Sequence, residues 1–123
     1  MALKAPSSRH GRSLGPICTC PMVEMELLWT AIEAPDFAEM RHDLSDLPQV
    51  PIDDRVWNRA IDVFQALGRQ APLHHRQVKS PDLLIAAAAE RAGVAVLHYD
   101  RDFDVIAGVT GQPVRAIAPM GSL

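Results

Sequence analysis

Residues 80–104 carry the clearest structural pattern in the chain and read SPDLLIAAAAERAGVAVLHYDRDFD. Ser80 and Pro81 are typical of a helix start, where a hydroxyl caps open amides and proline fits the first turn. Residues 82–92 are apolar on nearly every side, so they predict a helix buried in the core. Gly93 is expected to end this helix, because glycine readily adopts the left-handed backbone that closes a helix.

A strand and a second helix follow this core helix. Residues 94–99 form an almost unbroken apolar run, which is typical of a parallel strand covered on both faces. Asp100 stands directly after that strand, residues 101–108 predict a short helix, and residues 114–118 predict a last strand. Helices and strands that alternate in this way indicate an α/β domain.

The earlier part of the chain adds one strand and three helices. Residues 17–20 are β-prone and predict a short strand. Apolar residues at helical spacing predict helices over residues 22–34, 37–47 and 53–68. Asp53 is a suitable cap for the third helix, and residues 69–79 form a basic loop. Trp29 and Trp57 are expected to lie in the core or to face a partner.

Composition restricts the class of protein. The chain has 123 residues, the usual size of one domain, and 48% of them are hydrophobic and 22% charged, which excludes wholesale disorder. A formal net charge of −3 argues against a protein that coats duplex DNA through bulk positive charge. The longest apolar run is too short to span a bilayer, and no secretory signal is visible. Because no apolar run could span a bilayer, we expect no membrane contact. Cys18 and Cys20 are too close for an unstrained disulfide, so we expect a protein of the reducing cytoplasm.

The N-terminal residues differ from the rest in charge and pattern. No acid occurs before Glu24, and residues 1–15 are rich in proline, serine, glycine and arginine without periodicity. We therefore predict an irregular tail over residues 1–15 and one folded domain over residues 16–123.

Carboxylates gather at the predicted starts of two helices. Asp82 opens the core helix, Asp100 follows the strand, and Asp102 and Asp104 fall in the first turn of the next helix. Because strand ends and helix starts share one edge of a parallel sheet, we expect Asp82 and Asp100 to approach each other. Carboxylates in close contact repel one another and favour a hard cation such as Mg²⁺ or Mn²⁺. The alternative is that each acid only stabilises a helix start, by about 0.3–1 kcal/mol.

Other polar residues leave alternatives open. Glu24 and Glu26 point roughly 200° apart on a helix, so only one can face a shared site, and periodicity does not choose between them. His74, His75 and Arg76 in the basic loop either contact phosphate or form a solvated loop. His98 is predicted to be a packed core imidazole.

Three motifs resemble one protein family. PMVEMELL at residues 21–28, PDLLIAAAA at residues 81–89 and LHYDRDFD at residues 97–104 look like the PIN domain. The resemblance is strongest to the VapC-type toxins of bacterial toxin–antitoxin pairs. The ending, residues 110–113 and 119–123, also resembles a subgroup of these toxins.

The resemblance implies a three-layer α/β fold, in which helices flank a parallel sheet and an acidic pocket lies at the strand ends. It implies a ribonuclease that depends on Mg²⁺ or Mn²⁺. Carried over by position, the catalytic acids are Glu26, Asp82, Asp100 and Asp102, and the metal is held by Asp82, Asp100 and Glu26. The choice of Glu26 over Glu24 rests on this resemblance. It also implies an RNA substrate, an antitoxin that covers the pocket, and a homodimer.

The chain departs from the family pattern at its start. Family members begin with an apolar central strand that ends in aspartate, whereas residues 1–15 contain neither such a strand nor an acid. The first, central strand is therefore predicted to be missing or replaced, and one metal ligand to be absent. A missing strand would leave buried backbone groups of its neighbours unpaired, at about 1–3 kcal/mol each.

Three explanations of this departure stay open: a true start further upstream, a decayed gene copy, or a fragment that serves only as a binding partner. We predict a metal-dependent ribonuclease toxin in which Arg76 and Lys79 dock the RNA backbone. The alternative is a catalytically defective fragment that only binds antitoxin or has no function.

Overall fold

The computed structural model of the chain describes residues 2–6, 14–70, 78–98 and 100–118, with the backbone alone described for residues 4–6 and 14–16. Along these residues four strands and five helices follow one another, which confirms the predicted α/β class. They are β1 (Ala2–Pro6), β2 (Leu14–Cys18), α1 (Pro21–Trp29), α2 (Phe37–Ser45), α3 (Asp54–Gln70), α4 (Ser80–Ala92), β3 (Ala95–His98), α5 (Arg101–Thr110) and β4 (Val114–Ala116).

The four strands form one mixed sheet in the order β2-β1-β3-β4. β1 runs antiparallel to both neighbours, with Leu3 opposite Cys18 on one side and opposite Val96 on the other. β3 and β4 are parallel, with Val96 opposite Val114. The prediction was a parallel sheet, but the sheet is mixed. β1 runs in the reverse direction between β2 and β3, which point the same way.

β1 corrects the prediction of an irregular tail over residues 1–15. This strand of five residues has no long apolar run, but pairing on both sides satisfies its backbone and leaves Leu3 0% exposed. The Sγ of Cys18 also donates a weak hydrogen bond to the Leu3 carbonyl oxygen, at 3.4 Å. Of the two predicted outcomes, a missing or a replaced central strand, the structure has the second, since β1 occupies an interior position of the sheet. The expected penalty of unpaired backbone groups does not arise there. The domain boundary at residue 16 stays a prediction, although β2 begins at Leu14.

Helix α4 lies at the centre of the core, as its apolar sequence predicts. Every residue from Asp82 to Ala89 is buried, and α3, α5 and β3 pack against the helix. Gly93 ends it with a φ of 71°, in the left-handed region expected of a terminating glycine. The start differs from the prediction, since the helix already includes Ser80 and the capping position is taken by Lys79, whose side chain makes no capping hydrogen bond.

Helix α3 buries one side and exposes an apolar strip on the other. Its core-facing residues are Val56, Ala60, Val63 and Leu67. The Oδ1 of Asp53 accepts a hydrogen bond from the Val56 amide at 3.1 Å, which confirms the predicted cap. Trp57 is 51% exposed, so it does not lie in the core. Arg59 donates two hydrogen bonds, at 2.6 and 3.1 Å, to the carboxylate of Glu90 and so ties α3 to α4.

Helix α1 is shorter than predicted and leaves a groove beside α2. It ends at Trp29, and the Thr30 hydroxyl donates to the Leu27 carbonyl at 3.1 Å, a local bond that competes with further helix. A groove of about 910 Å³ lies between α1 and α2, and its lining includes Met25, Trp29 and Phe37. Of the helices described, none combines the length and the apolar character that crossing a membrane requires.

Candidate metal centre

Three aspartates meet where β3 and the starts of α4 and α5 come together. Asp82 lies in the first turn of α4, Asp100 caps α5, and Asp102 lies in its first turn. Each of the three offers a carboxylate oxygen, and these oxygens all lie within 4.8 Å of one another. The approach of Asp82 to Asp100 is the geometry that strand and helix order predicted. Asp104 in the same turn is not a member of this group, although the sequence places it beside the others.

Asp100 is held in place by its own backbone and side chain. Its Oδ1 accepts the Asp102 amide at 2.9 Å, which makes Asp100 the N-cap of α5. Its amide donates in turn to the Nδ1 of His98, at 3.1 Å. The two roles proposed for Asp100, helix cap and member of an acidic site, therefore coexist in one residue, because a carboxylate has two oxygens.

Asp82 is a buried acid, and one of its oxygens has no hydrogen-bond partner among the described residues. It is 5% exposed, and the oxygen without a partner is Oδ2. The pKa of Asp82 is raised to about 6, first by burial and then, in that order, by the negative charges of Asp100, Glu26 and Asp102. A buried, unpaired carboxylate surrounded by like charges is unfavourable by itself, and a cation would relieve both the desolvation and the repulsion.

Asp102 and Lys79 place charges of opposite sign near Asp82. Burial and the Asp100 charge raise the pKa of Asp102 above its ordinary value. The Lys79 ammonium acts in the opposite direction, lowering the pKa of both Asp82 and Asp102. Lys79 is exposed at the start of α4, so it brings a positive charge to the mouth of the acidic group. Arg76, the other predicted phosphate contact, lies outside the described residues.

The two glutamates of α1 face different surroundings. The charge of Glu26 reaches Asp82 and raises its pKa, although Glu26 is not within the group of three aspartates. The Oε1 of Glu24 instead accepts a hydrogen bond from Gln49 at 3.2 Å, and Glu24 lines the groove between α1 and α2. The geometry thus separates two residues that helical periodicity left equivalent.

The sequence did not indicate that His98 contacts the acidic group. Its packing in the core was predicted correctly, since it is 1% exposed. The hydrogen bond from the Asp100 amide to its ring was not foreseen. The signal was present as a histidine two residues before the acid, but the sequence gives no indication of which way the ring points at a strand end.

The donor set fits a hard divalent cation. Carboxylate oxygens are the ligands that Mg²⁺ and Mn²⁺ prefer, and Mg²⁺ in particular uses few protein carboxylates and retains water. The buried Oδ2 of Asp82, which no described donor satisfies, is the observation that favours a cation over a group of simple helix caps.

Comparison with known proteins gives the same family as the motifs. The family model described as PIN domain matches residues 5–109. Ribonuclease VapC18 of Mycobacterium tuberculosis is 42% identical over 104 residues, covering 85% of this chain and 76% of the relative. Ribonuclease VapC21 of the same species is 37% identical over 111 residues, covering 88% and 78%. Ribonuclease VapC51 is 35% identical over 109 residues, covering 89% and 77%. The chain therefore belongs to the PIN domain family, among relatives of the VapC type.

Proposed function

We propose that this chain is an endoribonuclease that depends on Mg²⁺ or Mn²⁺ and is the toxic component of a toxin–antitoxin pair in the cytoplasm. The observation that carries the proposal is the meeting of Asp82, Asp100 and Asp102, one of which has a buried carboxylate oxygen without a described partner. The relatives that match most of the chain bear the name ribonuclease, which supports RNA as the substrate class.

Asp82, Asp100 and Glu26 would hold the metal, and Asp102 would support them. When bound, the divalent ion supplies Lewis-acid chemistry, by polarising the phosphodiester and making water more acidic. Asp100 is already oriented, since its Oδ1 accepts a hydrogen bond from the Asp102 amide. Asp82 contributes a buried Oδ2 that no described residue engages in a hydrogen bond.

Lys79 would dock the RNA backbone beside the acids. It is exposed at the start of α4, and its charge already acts on Asp82 and Asp102. An ammonium at this place can contact a phosphate oxygen and offset part of the negative charge that would otherwise repel RNA from the acidic site. Arg76 is proposed for the same role on the sequence pattern alone.

An antitoxin is proposed as the protein partner, acting by covering the acidic pocket, and the active form is proposed to be a homodimer. Both proposals rest on the family. β1 contributes no carboxylate to the site, because the chain contains no acid before Glu24. A cation that retains water can bind with few protein carboxylates, so Asp82, Asp100 and Glu26 would suffice to hold it.

The test is cleavage of a structured RNA by the purified full chain in Mn²⁺. We expect cleavage that EDTA abolishes, that Asp82→Asn lowers at least 100-fold, and that Asp43→Asn leaves unchanged, since Asp43 is an exposed acid on α2. Cleavage that survives Asp82→Asn would reject this site. A chain that binds Mn²⁺ but cleaves no RNA would reject the enzyme in favour of the catalytically defective alternative.

A further inference from the structure

We propose that His98 is a positioning residue that sets Asp100 for metal binding by accepting its amide hydrogen. This inference rests on the proposed function, because Asp100 is there a metal ligand. His98 itself would not touch the metal or the RNA. Its place in the fold is the last residue of β3, two residues before Asp100.

The His98 imidazole is fully buried and packs against a neighbouring ring. Its side chain is 0% exposed, and its ring lies 5.3 Å from the ring of Phe103 with an interplanar angle of 38°. A buried ring that packs against a helix side chain has little freedom to rotate, so its Nδ1 is presented to the Asp100 amide in one orientation.

Two consecutive hydrogen bonds connect this ring to the acidic group. The Asp100 amide donates to His98 Nδ1 at 3.1 Å, and the Asp102 amide donates to Asp100 Oδ1 at 2.9 Å. The first bond fixes the backbone from which the Asp100 side chain leaves, and the second fixes one of its oxygens. The remaining oxygen can then bind a cation without a prior rearrangement of the side chain. Residues that hydrogen-bond to metal ligands raise the affinity for the metal in this way.

The second ring nitrogen explains why an imidazole suits this position. Because Nδ1 accepts a hydrogen bond, the hydrogen of the uncharged ring must be on Nε2. Nε2 faces the Oδ1 of Asp104 at 3.4 Å, in a contact too poorly aligned to count as a hydrogen bond among the described residues. The Asp104 carboxylate favours a hydrogen on Nε2 and so keeps Nδ1 available as an acceptor.

A purely structural role for His98 makes a different prediction from a positioning role. Asparagine can place its Oδ1 where His98 has Nδ1, since both atoms are the same number of bonds from the backbone. Glutamine places its acceptor one bond further out, near the position of Nε2, and leucine offers no acceptor. If His98 only fills space, the three variants differ in stability but not in metal affinity.

The experiment titrates Mn²⁺ into the full chain without RNA, with electron paramagnetic resonance as the readout of unbound Mn²⁺. We expect His98→Gln and His98→Leu to weaken Mn²⁺ binding roughly 10- to 100-fold, and His98→Asn to stay within about threefold of the wild type. Ile106→Val is the control, because Ile106 is 1% exposed in α5 and its substitution loosens the core without touching Asp100. That control should leave the Mn²⁺ dissociation constant unchanged.

Two metal-free measurements support the titration. Exchange of the Asp100 amide hydrogen should be faster in His98→Leu and His98→Gln than in His98→Asn. The ring of wild-type His98 should carry its hydrogen on Nε2 in ¹⁵N NMR, a result that needs no variant to fold. A hydrogen on Nδ1 would overturn the proposal, and so would equal Mn²⁺ affinity in folded His98→Leu and the wild type.

These outcomes separate the two proposals. If the wild type binds no Mn²⁺, the metal site itself is rejected and the role of His98 is rejected with it. If the wild type binds Mn²⁺ and the three His98 variants bind it equally, the metal site stands and only the positioning role is rejected.

Discussion

Replacing Asp82 by asparagine should stabilise the metal-free protein at neutral pH. Burial and the charges of Asp100, Glu26 and Asp102 raise the pKa of Asp82 to about 6 from an ordinary 3.8. A pKa unit corresponds to about 1.4 kcal/mol, so ionised Asp82 reduces the free energy of unfolding by up to about 3 kcal/mol at neutral pH. Asparagine has the same shape, carries no charge, and can donate its amide hydrogens to neighbouring carboxylates. We expect a gain of about 1–3 kcal/mol for Asp82→Asn.

The gain should depend on pH in a defined direction. Because the pKa of Asp82 is raised in the folded state, the protonated carboxyl favours the fold. This contribution is complete below about pH 4 and is lost as the pH rises through about 6. The two proteins should therefore have similar free energies of unfolding near pH 4. As the pH rises from 4 to 7, the wild type should become progressively less stable than Asp82→Asn.

Mn²⁺ should reverse the order of stability. A ligand that binds only the folded protein stabilises it by about 4.1 kcal/mol at 1,000 times its dissociation constant, which exceeds the gain of about 1–3 kcal/mol expected from the substitution. The wild type should gain this amount, whereas Asp82→Asn lacks one of the carboxylates and should gain little. The same substitution is thus expected to stabilise the empty protein and to destabilise it relative to the wild type in Mn²⁺.

Urea denaturation at pH 4.5 and 7.5, each with EDTA or with Mn²⁺, measures all of these differences. Asp43→Asn is the matched control, because it removes an exposed acid on α2 and should change the free energy of unfolding by less than about 0.5 kcal/mol. The reasoning is wrong if Asp82→Asn is less stable than the wild type at pH 7.5 in EDTA. It is also wrong if the difference between the two proteins is the same at both pH values.

Three further experiments test other contacts. Asp100→Asn keeps the acceptor for the Asp102 amide and should leave unfolding nearly unchanged, whereas Asp100→Ala should lower stability by about 1 kcal/mol; calorimetry should show weaker Mn²⁺ binding in both. Gln112→Ala removes a buried 2.8 Å hydrogen bond to the Ala86 carbonyl, so guanidinium denaturation should show a loss of about 1–3 kcal/mol with unchanged Mn²⁺ affinity. A double-mutant cycle of Arg59→Ala and Glu90→Ala should give a coupling of about 0.5–1 kcal/mol that falls in 1 M salt, and zero coupling at low salt would contradict the ion pair.

The core helix and the strand after it could be predicted because their signals are local. The alanine-rich α4 has no polar face for solvent, and Gly93 ends it by a backbone conformation that other residues rarely adopt. The unbroken apolar run of β3 indicated a strand covered on both faces, and Val96 is 0% exposed. In these elements the residue types alone restrict the backbone and its burial.

β1 could not be predicted because its stability comes from its neighbours. Its residues ALKAP have little β-branched character, and proline cannot donate to a sheet. The strand forms because β2 and β3 provide partners on both sides and because Leu3 fills the core between them. Such long-range pairing leaves no periodic pattern in five residues.

The candidate site could be predicted in part. Asp82 and Asp100 followed from the order of strands and helices, which places their backbone positions at one edge of the sheet. The choice of Glu26 over Glu24 needed the family likeness, since both occupy the same short helix. The contact of His98 with Asp100 depends on the rotation of a side chain at a strand end, which sequence does not determine.

The reversed direction of β1 has a practical consequence for anyone who purifies this protein. Ala2 is paired with Leu97, and Ala116 with His98, so the beginning of β1 and the end of β4 both lie at the sheet edge where Asp100 follows. A polyhistidine tag fused ahead of Ala2 would leave the sheet beside the carboxylates and could itself chelate the added Mn²⁺. Tags should therefore be removed by protease before titration, and a fluorescent dye attached at the same end would report on metal arrival.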